Sequence, residues 1–123
     1  MNGENEKALV GLSVLVVDDE ALLRRRLAAH LEALDADGTT VETLAAARNQ
    51  ISALEFNFVL LDIHLPDGLG LDLLRAGTMP PGTGVVVMIA QGGVEGAVEA
   101  MRSRDKRHDQ ITTYGKVGRR TPV

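Results

Sequence analysis

The chain has 123 residues, 45% of them hydrophobic and 24% charged, and its formal net charge is −4. That length suits one domain with its own buried core, and the acidic balance argues against a nucleic-acid-binding surface. With no cysteine in the chain, disulfides, thiolate catalysis and thiolate-bound zinc are excluded.

Aromatic residues make up only 2%, so the core must be built from Leu, Val, Ile and Ala. No apolar run approaches the roughly 20 residues of a membrane span, and nothing resembles a signal peptide, so the cytoplasm is the expected compartment. His30, His64 and His108 show no mutual ligand spacing. The basic run Arg24-Arg25-Arg26 reads as the solvated face of a helix.

Ser13 to Val17 is a short, β-branched apolar run of the kind found in a parallel strand covered on both faces. It ends abruptly in Asp18-Asp19-Glu20. Leu23, Leu27, Leu31 and Leu34 then recur at helical spacing, and Gly38 is the expected stop. Thr39 to Thr43 reads as a short strand, and Leu44, Ala47, Ile51 and Leu54 mark the apolar face of a second helix.

Phe58 to Leu61 is another buried-strand run, and it too stops at an acid, Asp62. The following "HLPDGLG" reads as a loop with a tight turn at Asp67-Gly68. Leu71 to Arg75 is a short helix with Gly77 as its stop. After the loop "TMPPGTG", Val85 to Ile89 is a third strand run, and Val94, Ala97, Val98 and Met101 line one face of a further helix. Beyond Arg102 the character changes. Only Ile111 to Tyr114 offers a candidate fifth strand, and the last nine residues are too few and too polar for a fifth helix.

Strands alternating with helices imply right-handed crossovers and an α/β, doubly wound parallel sheet. In such sheets ligands bind outside the carboxyl ends of the strands. Asp18, Asp19 and Asp62 all fall at such ends. If the two strands are neighbours, the three carboxylates meet and repel unless a cation joins them. Mg2+, which takes a few carboxylates plus waters and phosphate oxygens, is the expected ion. A carboxylate beside it can act as a nucleophile towards phosphorus.

The segments "VLVVDDE", "FVLLDIHLPDGLGLDLL" and "VVVMIAQGGVEGAVEAMR" resemble the receiver domain of bacterial two-component response regulators, from about Ser13 to Arg102. The third segment is similar to receivers of nitrogen-regulator-type activators. The resemblance implies a flavodoxin-like strand order, 2-1-3-4-5, in a single receiver domain over 1–123 whose tail, 103–123, diverges. It implies that Asp62 is the phosphoacceptor and that Asp19 binds Mg2+ directly with Asp18 assisting. The backbone carbonyl of His64 would complete the protein ligands. The implied partners are a histidine kinase or phosphotransfer protein and an effector domain or downstream protein. A membrane is not an expected partner.

Two family positions are altered. Ile89 stands where the family places a switch Ser or Thr, followed by the usual small residue in Ala90. The family's Lys-Pro after the fifth strand has no ungapped match, since Ile111 falls there, and Lys116 serves only with an insertion. Arg104-Asp105 replaces the usual Gly-Ala. These departures favour, as the alternative, a pseudo-receiver that keeps the fold without coupled phosphorylation. A metal-dependent phosphatase is disfavoured because His64, not a second Asp, stands two residues after Asp62. The chain is therefore expected to be a signalling domain and not an enzyme. A missing fifth helix and an open sheet edge beside Val85 to Ile89 would favour a homodimer.

Overall fold

A computed structural model describes residues 9–77, 79–88, 94–102 and 111–114, with only the backbone of Val94, Glu95 and 111–114. Five parallel strands form one sheet: β1 (Ser13–Val17), β2 (Asp37–Val41), β3 (Phe58–Asp62), β6 (Gly84–Met88) and β7 (Ile111–Tyr114), in the order β2-β1-β3-β6-β7. Counted within this sheet alone, that is 2-1-3-4-5. The helices are α1 (Ala21–Ala33), α2 (Leu44–Ala53), α3 (Leu71–Arg75) and α4 (Val94–Arg102). Among the described residues, no helix is long and apolar enough to cross a membrane.

Side chains alternate across a strand, so the uninterrupted apolar runs supply both faces of the sheet. Val14, Val16, Leu60, Val86 and Met88 pack with Leu27 and Leu31 of α1 and with Ala97, Val98 and Met101 of α4. Leu15, Val17, Val59, Leu61, Val85 and Val87 pack on the other face with Leu44 and Ala47 of α2 and Leu73 of α3. Most of these strand residues are fully buried. An aliphatic two-layer core is what the near absence of aromatic residues requires.

The connections follow the expected right hand except the last. β6 and β7 are parallel neighbours, but α4 lies on the α1 face and touches α1. The β6–α4–β7 connection therefore has the rare left hand, against the expectation of right-handed crossovers throughout. The physical reason is coverage. Leu60, Val86 and Met88 need an apolar lid on that face, and Ala97, Val98 and Met101 of α4 join the same buried cluster.

Four other expectations are corrected. The first helix stops at Asp35, not at Gly38. Asp35 takes a left-handed conformation (φ 62°), its N–H bonds to the Glu32 carbonyl, and the Ala36 N–H bonds to the Leu31 carbonyl. This is a Schellman ending built on aspartate. Gly38 instead lies inside β2, where a Cβ would stand 3.2 Å from Leu31 Cδ1, so its small size lets α1 settle against the strand. Leu54, assigned to the apolar face of α2, caps that helix in an extended conformation and is 55% exposed. "HLPDGLG" is not an open loop but a short antiparallel hairpin, β4 (His64–Leu65) with β5 (Gly68–Leu69), turning on Pro66-Asp67.

The fourth correction is at the sheet edge. The edge of β6 is not open, because β7 pairs with it from Val85↔Ile111 to Met88↔Tyr114. The expected homodimer therefore loses that part of its basis. The expectations at Ile89, Ala90, Lys116 and the fifth helix lie outside the described residues.

Two glycines separate steric from conformational need. Gly70 donates to the Ile63 carbonyl at 2.6 Å, and a Cβ there would overlap the Asp62 carbonyl oxygen. Gly77 has φ 71° with open space around it. Gly70→Ala should cost more than about 3 kcal/mol, because backbone must move, while Gly77→Asn should cost under about 1 kcal/mol. Urea denaturation of the two variants checks the difference.

Candidate metal and phosphoacceptor site

The register of the sheet assembles the site. Val17 pairs with Leu61 across β1 and β3, so the next residues, Asp18 and Asp62, emerge side by side at the carboxyl ends of the two central strands. Carboxylate oxygens of Asp18, Asp19 and Asp62 all lie within 4.8 Å of one another. Asp18 is buried, Asp62 half-buried and Asp19 exposed. The three acids singled out in the sequence are thus brought together.

Each is held by local structure. Asp18 Oδ1 accepts the Glu20 N–H at 2.8 Å, a turn of the kind aspartate makes with its own backbone two residues on. The Asp18 N–H donates to the Val41 carbonyl at 3.1 Å, which ties the end of β1 to β2. Arg24 Nη1 donates to the Asp18 carbonyl at 2.8 Å and lies 3.8 Å from Glu42 Oε1. Arg24, read as one of three solvated arginines, is therefore a structural tie; Arg25 and Arg26 are exposed as expected.

Within the described residues the charge is not relieved by a salt bridge. Among the described residues no Lys or Arg side chain forms an ion pair with the three carboxylates. Desolvation by burial pushes Asp18 up to about 6, helped by the charges of Asp62, Asp19 and Glu20 and opposed by the Glu20 N–H. Burial likewise raises Asp62, with Asp19 adding to it, against the His64 and Ile63 N–H groups and the His64 charge. Such a donor set, all oxygen, crowded and short of positive charge, fits a hard divalent cation. His64 itself is exposed and lies in β4, directly after β3.

One contact has no counterpart in the sequence reading. Asp67, expected only as a turn residue, accepts the N–H of Leu44 at 2.8 Å and of Ala45 at 3.1 Å. These are free donors at the start of α2, whose own cap is Thr43 Oγ1 accepting from Ala46 N–H at 3.0 Å. The two residues stand 23 apart in the chain, so no local signal pairs them.

The family model for the response regulator receiver domain matches residues 14–108. The chain is similar to the response regulator protein PilR of Pseudomonas aeruginosa, 32% identical over 90 residues, covering 72% of this chain and 20% of that protein. It is also similar to the regulatory protein LuxO of Vibrio cholerae, 38% identical over 88 residues, covering 71% of this chain and 19% of that protein. The chain thus matches about a fifth of the length of these relatives.

Among solved structures, it is similar to the response regulator TrrA of Thermotoga maritima in complex with Mg2+-BeF, at 25% identity and a TM-score of 0.57, over 63% of this chain and 68% of that one. A Francisella response regulator receiver domain shares the fold, with a TM-score of 0.64 at 21% identity, over 89% of this chain and 87% of that one.

The raised Asp18 gives a pH dependence of definite sign. Its folded value of about 6 exceeds its ordinary 3.8, so the metal-free fold loses stability as pH rises from 3.8 through 6. Asp18→Asn keeps the acceptor for Glu20 and removes the charge. At pH 7 without divalent ions it should stabilise the fold by about 1–3 kcal/mol, and the gain should vanish near pH 4. Added Mg2+ should raise the melting temperature of the wild type and not of the variant. Thermal melts at the two pH values, with and without the ion, check all three statements.

Proposed function

The chain belongs to the response regulator receiver family, and on that premise we propose that it accepts a phosphoryl group on Asp62 from a histidine kinase or phosphotransfer protein. Receiver domains are signalling domains, and the chain's role is to hold or release that group for an effector domain or downstream protein. The observation that carries this reading is the convergence of Asp18, Asp19 and Asp62 at the ends of the two central strands. Asp19, exposed and nearest to solvent, would hold Mg2+ directly, with Asp18 assisting from its buried position and the His64 carbonyl completing the set. When bound, Mg2+ supplies the positive charge that lets three carboxylates and a phosphoryl group share one crevice.

An Asp62 carboxylate oxygen attacks phosphorus and forms the acyl-phosphate P–O bond. The P–N bond of the donor phosphohistidine breaks, and its electron pair leaves with the imidazole nitrogen. The N–H groups of Ile63 and His64 oppose the rise that burial imposes on Asp62 and so favour its ionised, nucleophilic form. The added charge and acceptor oxygens then bias the surface beyond β6. The kinship with PilR and LuxO makes transcription regulation the output we read for the whole protein, and the cytoplasm its compartment.

A second reading is favoured by the sequence itself. Ile89 follows Met88, whose backbone is in register with Asp62, and isoleucine has no hydroxyl to offer a phosphoryl oxygen. Ala90 follows it, and Lys116 is not followed by proline. On this reading the chain is a pseudo-receiver, an interaction module whose phosphorylation is absent or uncoupled.

Incubation with acetyl phosphate and Mg2+ followed by prompt intact-mass measurement tests whether Asp62 is phosphorylated at all. A mass gain of one phosphoryl group, lost in Asp62→Asn, is expected. Absence of the gain in the wild type would favour the pseudo-receiver. Homodimerisation, which we also propose, now rests on the outer edge of β7, and sedimentation velocity at micromolar concentration should show a dimer.

A further inference from the structure

The hairpin of β4 and β5 follows the proposed phosphoacceptor closely in the chain. It begins two residues after Asp62, and its first residue, His64, offers the backbone carbonyl assigned to the metal. A two-residue ladder has too few bonds to hold its own place. Something outside the hairpin must set its position.

Two described features fix it. On its inner side, Gly70 packs against the Asp62 carbonyl with no room for a Cβ. On its outer side, both carboxylate oxygens of Asp67 take N–H groups of the first turn of α2, from Leu44 and Ala45. Gly68 beside it has φ 147°, and a Cβ there would come within 2.9 Å of Leu44 Cδ1, so the hairpin is pressed directly onto the start of that helix. The N–H donors hold the Asp67 carboxyl below the usual carboxylate range, as expected of a charged cap.

We propose that Asp67 is a positioning residue for the metal site: by capping α2 across the chain it locks the β4–β5 hairpin and so fixes the His64 carbonyl beside Asp18, Asp19 and Asp62. The inference rests on the receiver reading above. α2 thereby becomes the fixed post for the hairpin after β3, although none of the three clustered acids lies on it. Thr43 Oγ1 caps the same helix end by accepting from Ala46 N–H, so its removal tests helix stability apart from the Asp67 contact.

The test is Mg2+ titration of the full chain, followed by the backbone amide shifts of Ile63 and His64, in four variants well below their melting temperatures. Asp67→Ala should raise the Mg2+ dissociation constant roughly tenfold, the scale typical of lost outer-shell partners. Asp67→Asn, which keeps one acceptor oxygen, should fall between. Thr43→Ala should lose stability and keep the wild-type affinity. Asp19→Ala should largely abolish binding. If Asp19→Ala loses binding while Asp67→Ala binds like the wild type, the clamp is refuted and the site stands. Equal weakening in Thr43→Ala and Asp67→Ala also refutes it, since helix stability then accounts for both. If Asp19→Ala binds like the wild type, the site itself is misassigned and the clamp falls with it.

Discussion

Three carboxylates held within reach of one another, with no Lys or Arg among the described residues paired to them, are the constraint on which this structure turns. The sheet forces the crowding. Parallel pairing of β1 and β3 places Asp18 and Asp62 at the same height, and burial of Asp18 removes the water that would otherwise screen them. The fold therefore carries an electrostatic cost that hydrophobic packing must offset and that a divalent cation would cancel. A chain evolved for stability alone would place a neutral residue at position 18.

The surrounding structure keeps that arrangement from relaxing. The β1 end is tied to β2 through Asp18 N–H and to α1 through Arg24, and the β3 end is backed by Gly70. Below it, β1, β3 and β6 are sealed on both faces by aliphatic side chains. Close-packed Val, Leu, Ala and Met layers resist displacement. The site gains its rigidity from the strand ends, and the hairpin gains its position from α2.

Much of this was legible in the amino-acid order. β1, β3, β6 and β7 announce themselves as apolar or β-branched runs, and the acids at two of their ends mark the site. What was not legible depends on distance along the chain or on competing local signals. Gly38 invites a helix stop, yet Asp35 adopts the left-handed turn first and frees the glycine for close packing. Leu54 has the right spacing for a buried helix face, but the helix ends one residue earlier. Asp67 looks like a turn residue because its partners, Leu44 and Ala45, lie far upstream. The left-handed placement of α4 follows from which face needed covering, and a one-dimensional pattern of strands and helices does not encode faces. The assignments at Ile89, Ala90 and Lys116 come from likeness to the family alone.

The pairing of β7 onto β6 has a spectroscopic consequence. The chain contains no tryptophan and a single tyrosine, Tyr114, the last residue of β7. Through the sheet, its backbone stands one strand from Met88 and two strands from Asp62. The protein's entire intrinsic tyrosine emission therefore originates from the outermost strand, while the core beneath holds no aromatic residue but Phe56 and Phe58. Fluorescence unfolding curves will follow detachment of that edge, circular dichroism will follow the helices, and any separation between the two measures how independently the last strand is held.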